Sequence, residues 1–413
     1  MDFSIKWGNM KWNRSGRALT SLALVATGCV TVVAGSSGPA DAAKAKSPII
    51  IGNMADLTGN ATVGIPGNYG VQFAVKQINA HGGIDGHKLV LDTADSQFSV
   101  SGGIGAARQL TESDHAKIVI NTSASDAAIP SLPIFQAAET PIIVAAGSDP
   151  EIVNPANSFA FMTPAVPVPV DVQAYLKYMK KEHYTSVGLI YPTSALSSVE
   201  VPDLEDAAPA YGITFAATQS YVVGTNDYSS QIAAVQATQP QAVFVIGDFL
   251  GNVFKQARDV GFGVPFLYDT SVTDPLLINS IGATAAAGVV SFQTQATQLL
   301  GAKTPPMTTW VKEFNTAFPS PPSGVPSQFS LEGYEATFVA AQALLMTLNT
   351  KRSLTGNNIH NELINIKGFV LGKTGFKYAV PIAYPVSFTK TNHAGDDTVT
   401  PVVVQNGIWV KAP

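Results

Sequence analysis

The sequence predicts an α/β protein of two lobes, each built on a doubly wound parallel sheet. Three observations carry this. Short apolar runs alternate with amphipathic helical stretches along most of the chain, joined by short connections. The alternation is interrupted at residues 162–171 (MTPAVPVPVD), where three prolines mark a crossover between lobes, and a second series then begins. A length of 413 residues also exceeds one usual compact domain.

In the first series, residues 49–54 form an apolar run of the kind buried in a parallel sheet. Val71, Ala74, Val75 and Ile78 mark one helical face, which His81-Gly82-Gly83 terminates. Residues 88–92 read as a second strand, and Ile104, Ala107 and Leu110 as a second helix. A third strand (118–120), a helix (127–138) and a fourth strand (141–145) follow. Beyond the prolines, strands are expected at 187–191, 213–216, 242–246, 265–268 and 288–292, with intervening helices that include 228–237 and 251–260. Residues 297–306 read as a loop. Helices return at 308–318 and 330–348, split by FPSPPSGVPSQF, and the tail 386–410 reads as two or three strands. There is no short repeat of the solenoid kind.

Composition excludes several classes. With 46% hydrophobic and 13% charged residues the chain is too apolar for wholesale disorder. One apolar run, residues 18–35, nears membrane-spanning length, which excludes a polytopic membrane protein. The net charge is −5, and no strongly basic tract follows the first 17 residues, so nucleic acid is not an expected partner. A single cysteine makes neither an internal disulfide nor a thiolate metal cluster.

The first 42 residues have the three parts of an export signal. Lys6, Lys11, Arg14 and Arg17 precede the apolar run, and Ala40-Asp41-Ala42 supplies a small-residue cleavage site. Two cleavages stand open. Cleavage after Ala42 gives a soluble mature protein without cysteine. Cleavage at residue 28 leaves Cys29 for lipid anchoring, since Ala26-Thr27-Gly28-Cys29 resembles a lipobox. An uncleaved anchor is the third outcome. The protein is thus expected in the periplasm or at the cell surface.

Signatures of catalysis are missing. The six histidines show no metal-ligand spacing, so no metal is expected. There is no G-x-S-x-G elbow and no phosphate-cradling P-loop. Residues 102–108 (GGIGAAR) approach a dinucleotide fingerprint, but the third glycine is replaced and no strand directly precedes them, so they read better as a helix start. Neither a cofactor nor a catalytic residue is expected, and the chain does not read as an enzyme.

Several strings then resemble one family in order and spacing. PIIIGNMADLTGNATVGIPGNYGVQFAVKQINAHGGIDGHKLVLDTADSQ, PIIVAAGSDPEI, FKQARDVGFGVPFLYDTSVTDPLL, SLEGYEATFVAAQAL and the closing VVVQNGIWV are similar to the type I periplasmic binding proteins. Within these they resemble the leucine/isoleucine/valine-binding group that serves ABC importers. The resemblance runs from about residue 47 to 413. It implies two Rossmann-like lobes joined by three crossovers, with a small ligand in the cleft between them and a membrane ABC permease as partner. On that basis residues 47–166 with 293–377 are expected to form lobe 1, and 167–292 with 378–413 lobe 2.

The resemblance also implies site residues. Ser125 aligns with the family's serine for the ligand carboxylate, at a helix start whose positive end suits an anion. Ser148 aligns with the family's threonine, and Ala146 and Gly147 with the backbone of the preceding loop. Val63 stands where an aromatic residue is usual. The acid that meets the ligand ammonium aligns with Thr270, and a one-residue shift would give that task to Asp269. Asp248 and Phe249 fall on the second lobe's G-G-Y loop, as a second polar partner and an apolar wall. Tyr191 reads as wall or core. Taken without the resemblance, Ser125 caps a helix and Ser148 a turn. The implied function is capture of a branched-chain amino acid or a related small carboxylate for import. The alternatives are a ligand sensor for a membrane receptor and an exported enzyme.

Overall fold

The computed structural model describes residues 46–272, 275–294, 304–319, 326–379, 385–395 and 397–413. The export signal, both cleavage points and Cys29 lie outside the described residues, as does most of the loop expected at 297–306. No helix among the described residues is long and apolar enough to cross a membrane.

The first sheet is wholly parallel. Its strands are β1 (Ile49–Ala55), β2 (Leu89–Asp95), β3 (Val119–Thr122), β4 (Ile142–Val144) and β5 (Ala160–Met162), in the order β2-β1-β3-β4-β5. Helices α1 (Gly64–Ala80), α2 (Val100–Arg108) and α3 (Ser125–Ala137) connect these strands. Apolar strand residues feed a separate core on each face of the sheet.

The second sheet repeats the pattern and extends it. Helix α4 (Val168–Lys181) leads into β6 (Ser186–Pro192), α5 (Ser197–Ala207) and β7 (Thr214–Tyr221). Then come α6 (Ser229–Ala237), β8 (Ala242–Val245), α7 (Asn252–Asp259), β9 (Phe266–Tyr268), the short α8 (Pro275–Ile281) and α9 (Ala283–Ala286), and β10 (Val290–Thr294). The chain returns to the first lobe as α10 (Pro305–Ala317), α11 (Gln328–Asn349) and α12 (Gly356–Leu363). It ends in the second sheet as β11 (Val399–Gln405) and β12 (Ile408–Lys411). The order β12-β11-β10-β9-β8-β6-β7 contains the same switch as the first sheet, between β6 and β8. Strands β11 and β12 run antiparallel, so the second sheet is mixed rather than purely parallel.

Close helix packing explains several glycines. Helix α1 lies against α11, and a Cβ on Gly70 would stand 1.9 Å from the Ser330 carbonyl oxygen. Phe73 meets Trp310 and Phe314 edge-on and stacks on Tyr334, tying α1, α10 and α11 together. In the nucleotide-like string, a Cβ on Gly102 or Gly103 would meet the carbonyl of Ser96 or Ala127 at 2.1 or 2.3 Å. Those glycines serve the approach of α2 to its neighbours, with the Ser99 hydroxyl capping the helix at the Gly102 N–H.

The expected boundary at residue 378 needs correction. Ala379, Val386 and Phe388 are buried in the first lobe's core. Val386 pairs with Phe369, and Ala394 bridges to Met162 beside β5. Among the described residues, the tail at 386–395 therefore stays with the first lobe, and Val399 joins the second sheet. Apolar residues at 386 and 388 suggested a strand in the second lobe, but their burial is against α11 and β5.

Candidate functional site

Both sheets have their topological switch where the strands point at one another's loops. In parallel α/β sheets such switch points open a crevice at the carboxyl ends of the strands. Here the loops after β1 and β3 face those after β6, β7, β8 and β9 across a cavity of about 520 Å³. That is an ordinary size for a small-molecule site.

On the first lobe, the loop after β1 brings Asn60 and Val63, and the start of α3 brings Ser125 and Asp126. Ser125 is 2% exposed, and its hydroxyl has no hydrogen-bond partner among the described residues. Buried polar groups are usually paired, so a bare hydroxyl on a cavity wall marks a place for a ligand atom. Asp126, in the first turn of α3, reaches over the cleft, where its Oδ1 accepts the Ala195 N–H at 3.0 Å. Behind Ser125, the Asp56 carboxylate accepts the Ala124 and Phe98 N–H groups and the Ser96 hydroxyl. Burial raises the Asp56 carboxyl above its ordinary range against those bonds, and Asp126 adds to the rise.

On the second lobe, Asp269 follows β9. It is 2% exposed, and its oxygens take the Ser271 hydroxyl at 2.7 and 2.8 Å and the Gly247 N–H at 3.4 Å. Burial pushes it up to about 6, against the bonds from Ser271 and Gly247. Two further carboxyls, Asp171 of α4 and Glu200 of α5, are buried within electrostatic reach of Asp269. Each has one oxygen without a hydrogen-bond partner among the described residues. Burial first, then the neighbouring acids, hold both well above the ordinary carboxylate range. Among the described residues no group of histidine, cysteine, aspartate and glutamate is disposed to hold a metal ion.

Six of the nine expected site residues line the cavity: Val63, Ser125, Ala146, Asp248, Phe249 and Asp269. Gly147, Ser148 and Thr270 are not in its wall. Gly147 packs beneath, where an added Cβ would stand 3.3 Å from the Ser125 hydroxyl. Ser148 gives its carbonyl to the Val168 N–H at 2.9 Å, holding the start of α4. Thr270 turns toward α4: its N–H donates to the Tyr175 oxygen at 3.0 Å, and its hydroxyl accepts from that phenol at 3.2 Å. Asp248, expected as a ligand partner, already accepts the Asn252 and Val253 N–H groups and the Tyr268 hydroxyl. Burial pushes it up to about 6. It caps α7 from the cavity wall. Tyr191 packs beside the second lobe's core and is not in the wall.

Sequence reasoning missed Asp126, Tyr228 and Phe329. Phe329 of α11 meets Phe249 edge-on, with ring centres 5.9 Å apart, and both stand in the cavity wall. Gln328 beside it donates to the Thr270 carbonyl at 3.0 Å, linking the lobes again. No local pattern announces these partners, which come together through the apposition of the lobes.

Comparisons with known proteins agree with this architecture. Residues 48–407 match a family described as periplasmic binding protein. A "Leu/Ile/Val-binding protein homolog 3" of Brucella melitensis is 26% identical over 53% of this chain and 60% of its own length. A "Leu/Ile/Val-binding protein homolog 8" of Brucella abortus is 24% identical over 74% of this chain and 77% of its own. The first match therefore spans less than two thirds of that relative. Among solved structures, the branched-chain amino acid transporter substrate binding protein LivJ of Streptococcus pneumoniae, in complex with isoleucine, superposes with a TM-score of 0.73. It is 18% identical and covers 88% of this chain and all of that one. A possible leucine/isoleucine/valine-binding protein of Rhodopirellula baltica gives 0.76 at 18% identity, over 89% and 97% of the two chains.

Proposed function

Because the chain belongs to the periplasmic binding protein family, we propose that it is the exported solute-binding component of an ABC importer. It captures a small amine-bearing solute of the amino-acid class, a branched-chain amino acid or a close analogue, and presents it to a membrane permease. The relatives and the fold are those of binding proteins rather than enzymes. One observation carries the reading. The cavity holds an unengaged hydroxyl donor, Ser125, on one lobe and a buried acid, Asp269, on the other. A ligand ammonium opposite Asp269 supplies the counter-charge that a buried carboxylate lacks. The ligand's oxygen-bearing end accepts from Ser125 at the start of α3.

Such a ligand bridges the lobes, and its contacts with both favour the closed form. Ligand capture is then stoichiometric, and hinge opening at the permease releases it. The test is thermal unfolding of the protein with leucine, isoleucine or valine. At about 100 times its dissociation constant a ligand stabilises the native state by about 2.7 kcal/mol. No stabilisation by any aliphatic amino acid or its amine or amide analogues contradicts the proposal.

A further inference from the structure

The charges around the cavity do not balance for a zwitterion. Asp126, Asp248 and Asp269 contribute to the wall, and among the described residues no lysine, arginine or histidine does. Asp248 is neutralised in part by the amides of α7 that it caps. Asp269 has Asp171 and Glu200 buried within electrostatic reach of it. The second lobe thus offers an acidic floor, with Asp269 at the cavity wall, to whatever group meets it.

The first lobe compounds this. A ligand carboxylate at Ser125 would rely on the positive end of α3. That end already serves two acids of the protein itself. Asp56 takes the Ala124 N–H just before the helix, and Asp126 occupies its first turn. Asp126 turns one oxygen to the Ala195 N–H across the cleft, which keeps the charge at the cavity wall when the lobes meet. A second carboxylate brought to Ser125 therefore enters between like charges, with no cation among the described residues of the wall to offset them. A neutral carbonyl oxygen does not suffer this, and the Ser125 hydroxyl, unpartnered and 2% exposed, donates to it equally well.

We propose that the cleft selects a primary amine of net positive charge whose second anchor is a neutral carbonyl, an α-amino amide being the smallest example, over the zwitterionic amino acid. This rests on the solute-capture reading above and assigns the chemical class of the solute. The ammonium faces Asp269, and the amide carbonyl accepts from Ser125. Asp126 is the specificity residue, disfavouring a free carboxylate.

Calorimetric titration of the full chain near neutral pH tests this with leucine, leucinamide, 3-methylbutylamine and 4-methylpentanoate. Leucinamide is expected to bind at least about tenfold more tightly than leucine. The bare amine should retain measurable binding and the carboxylate alone should show none. Asp126→Asn keeps an acceptor for the Ala195 N–H and removes the charge. It should tighten leucine several-fold and should not tighten leucinamide, so that the ratio narrows. Leucine binding as tightly as leucinamide overturns this inference and leaves solute capture standing. A leucinamide preference that Asp126→Asn does not reduce overturns the role of Asp126. Binding of 4-methylpentanoate without any amine overturns the ammonium anchor as well, and silence from all four compounds overturns both readings.

Discussion

Ser125 and Ser148 are the same residue type on neighbouring loops, yet their surroundings give them different tasks. The Ser125 hydroxyl is bare on the cavity wall, whereas Ser148 holds the start of α4 through its carbonyl, outside that wall. Ser125→Ala is therefore expected to weaken ligand binding by about tenfold, the worth of one hydrogen bond to a polar ligand group. Ser148→Ala, which keeps that carbonyl, should leave affinity within about twofold. Titration of the two variants side by side checks this, and equal losses would contradict it. The buried acids give a second prediction at this scale. Asp269 and Asp248 are pushed from the ordinary carboxylate value of 3.8 up to about 6 by burial, and Asp171 and Glu200 well above the ordinary range by burial first and then by Asp269. A carboxyl with a raised folded value holds its proton longer in the native state than in the unfolded chain. Its contribution to stability is complete below about 4 and is lost as pH rises through about 6. A rise of two units corresponds to about 3 kcal/mol at most for one such group. Without ligand, the protein should resist urea better near pH 5.5 than near pH 7.5, and Asp171→Asn should flatten that dependence. A ligand-free stability that rises over this window would contradict the account.

Packing between elements holds the site in place. The loop carrying Val63 runs straight into α1, and α1 is seated on α11 by glycines that allow backbone contact. Gly70 approaches the Ser330 carbonyl and Gly333 the Gly67 carbonyl, where added Cβ atoms would stand at 1.9 and 2.3 Å. Gly70→Ala forces these helices apart and is expected to cost about 1–3 kcal/mol in denaturant unfolding, as overpacking does. An unchanged midpoint would show that the helices slide without cost. Most elements were legible in the sequence because buried parallel strands are short continuous apolar runs and α1 has a clear 3.6-residue stripe. The strand at 118–120 and that at 265–268 fall within a residue or two of β3 and β9. Proline obscured the rest. Strand β5 and helix α4 border the proline-rich crossover, so propensity argued against structure that tertiary packing supplies. The tail misled for the opposite reason. Val386 and Phe388 have strand-like spacing, but a local pattern cannot say which lobe buries them.

Among the described residues the two lobes meet at a few points. Asp126 to Ala195, Gln328 to Thr270 and Phe249 against Phe329 span the cleft around the cavity. None of these pairs is adjacent in sequence, so the resemblance to a known family reached Ser125 and Asp269 but not the residues that join the lobes. Phe329→Ala removes one apolar contact between them and should shift the ligand-free population toward the open form, raising the radius of gyration in solution scattering. An unchanged radius, with and without ligand, would contradict a closing clamp. The central claim is that the cleft holds an amine against Asp269. The most direct measurement is the binding isotherm of leucine and leucinamide to the wild type and to Asp269→Asn. The account predicts one site per chain in the wild type and at least about a hundredfold loss in the variant, as for a buried charge pair deprived of one partner. The ligand-free variant should at the same time be as stable as the wild type or more so near neutral pH, because a buried charge has been removed. Undiminished affinity in Asp269→Asn would contradict the claim.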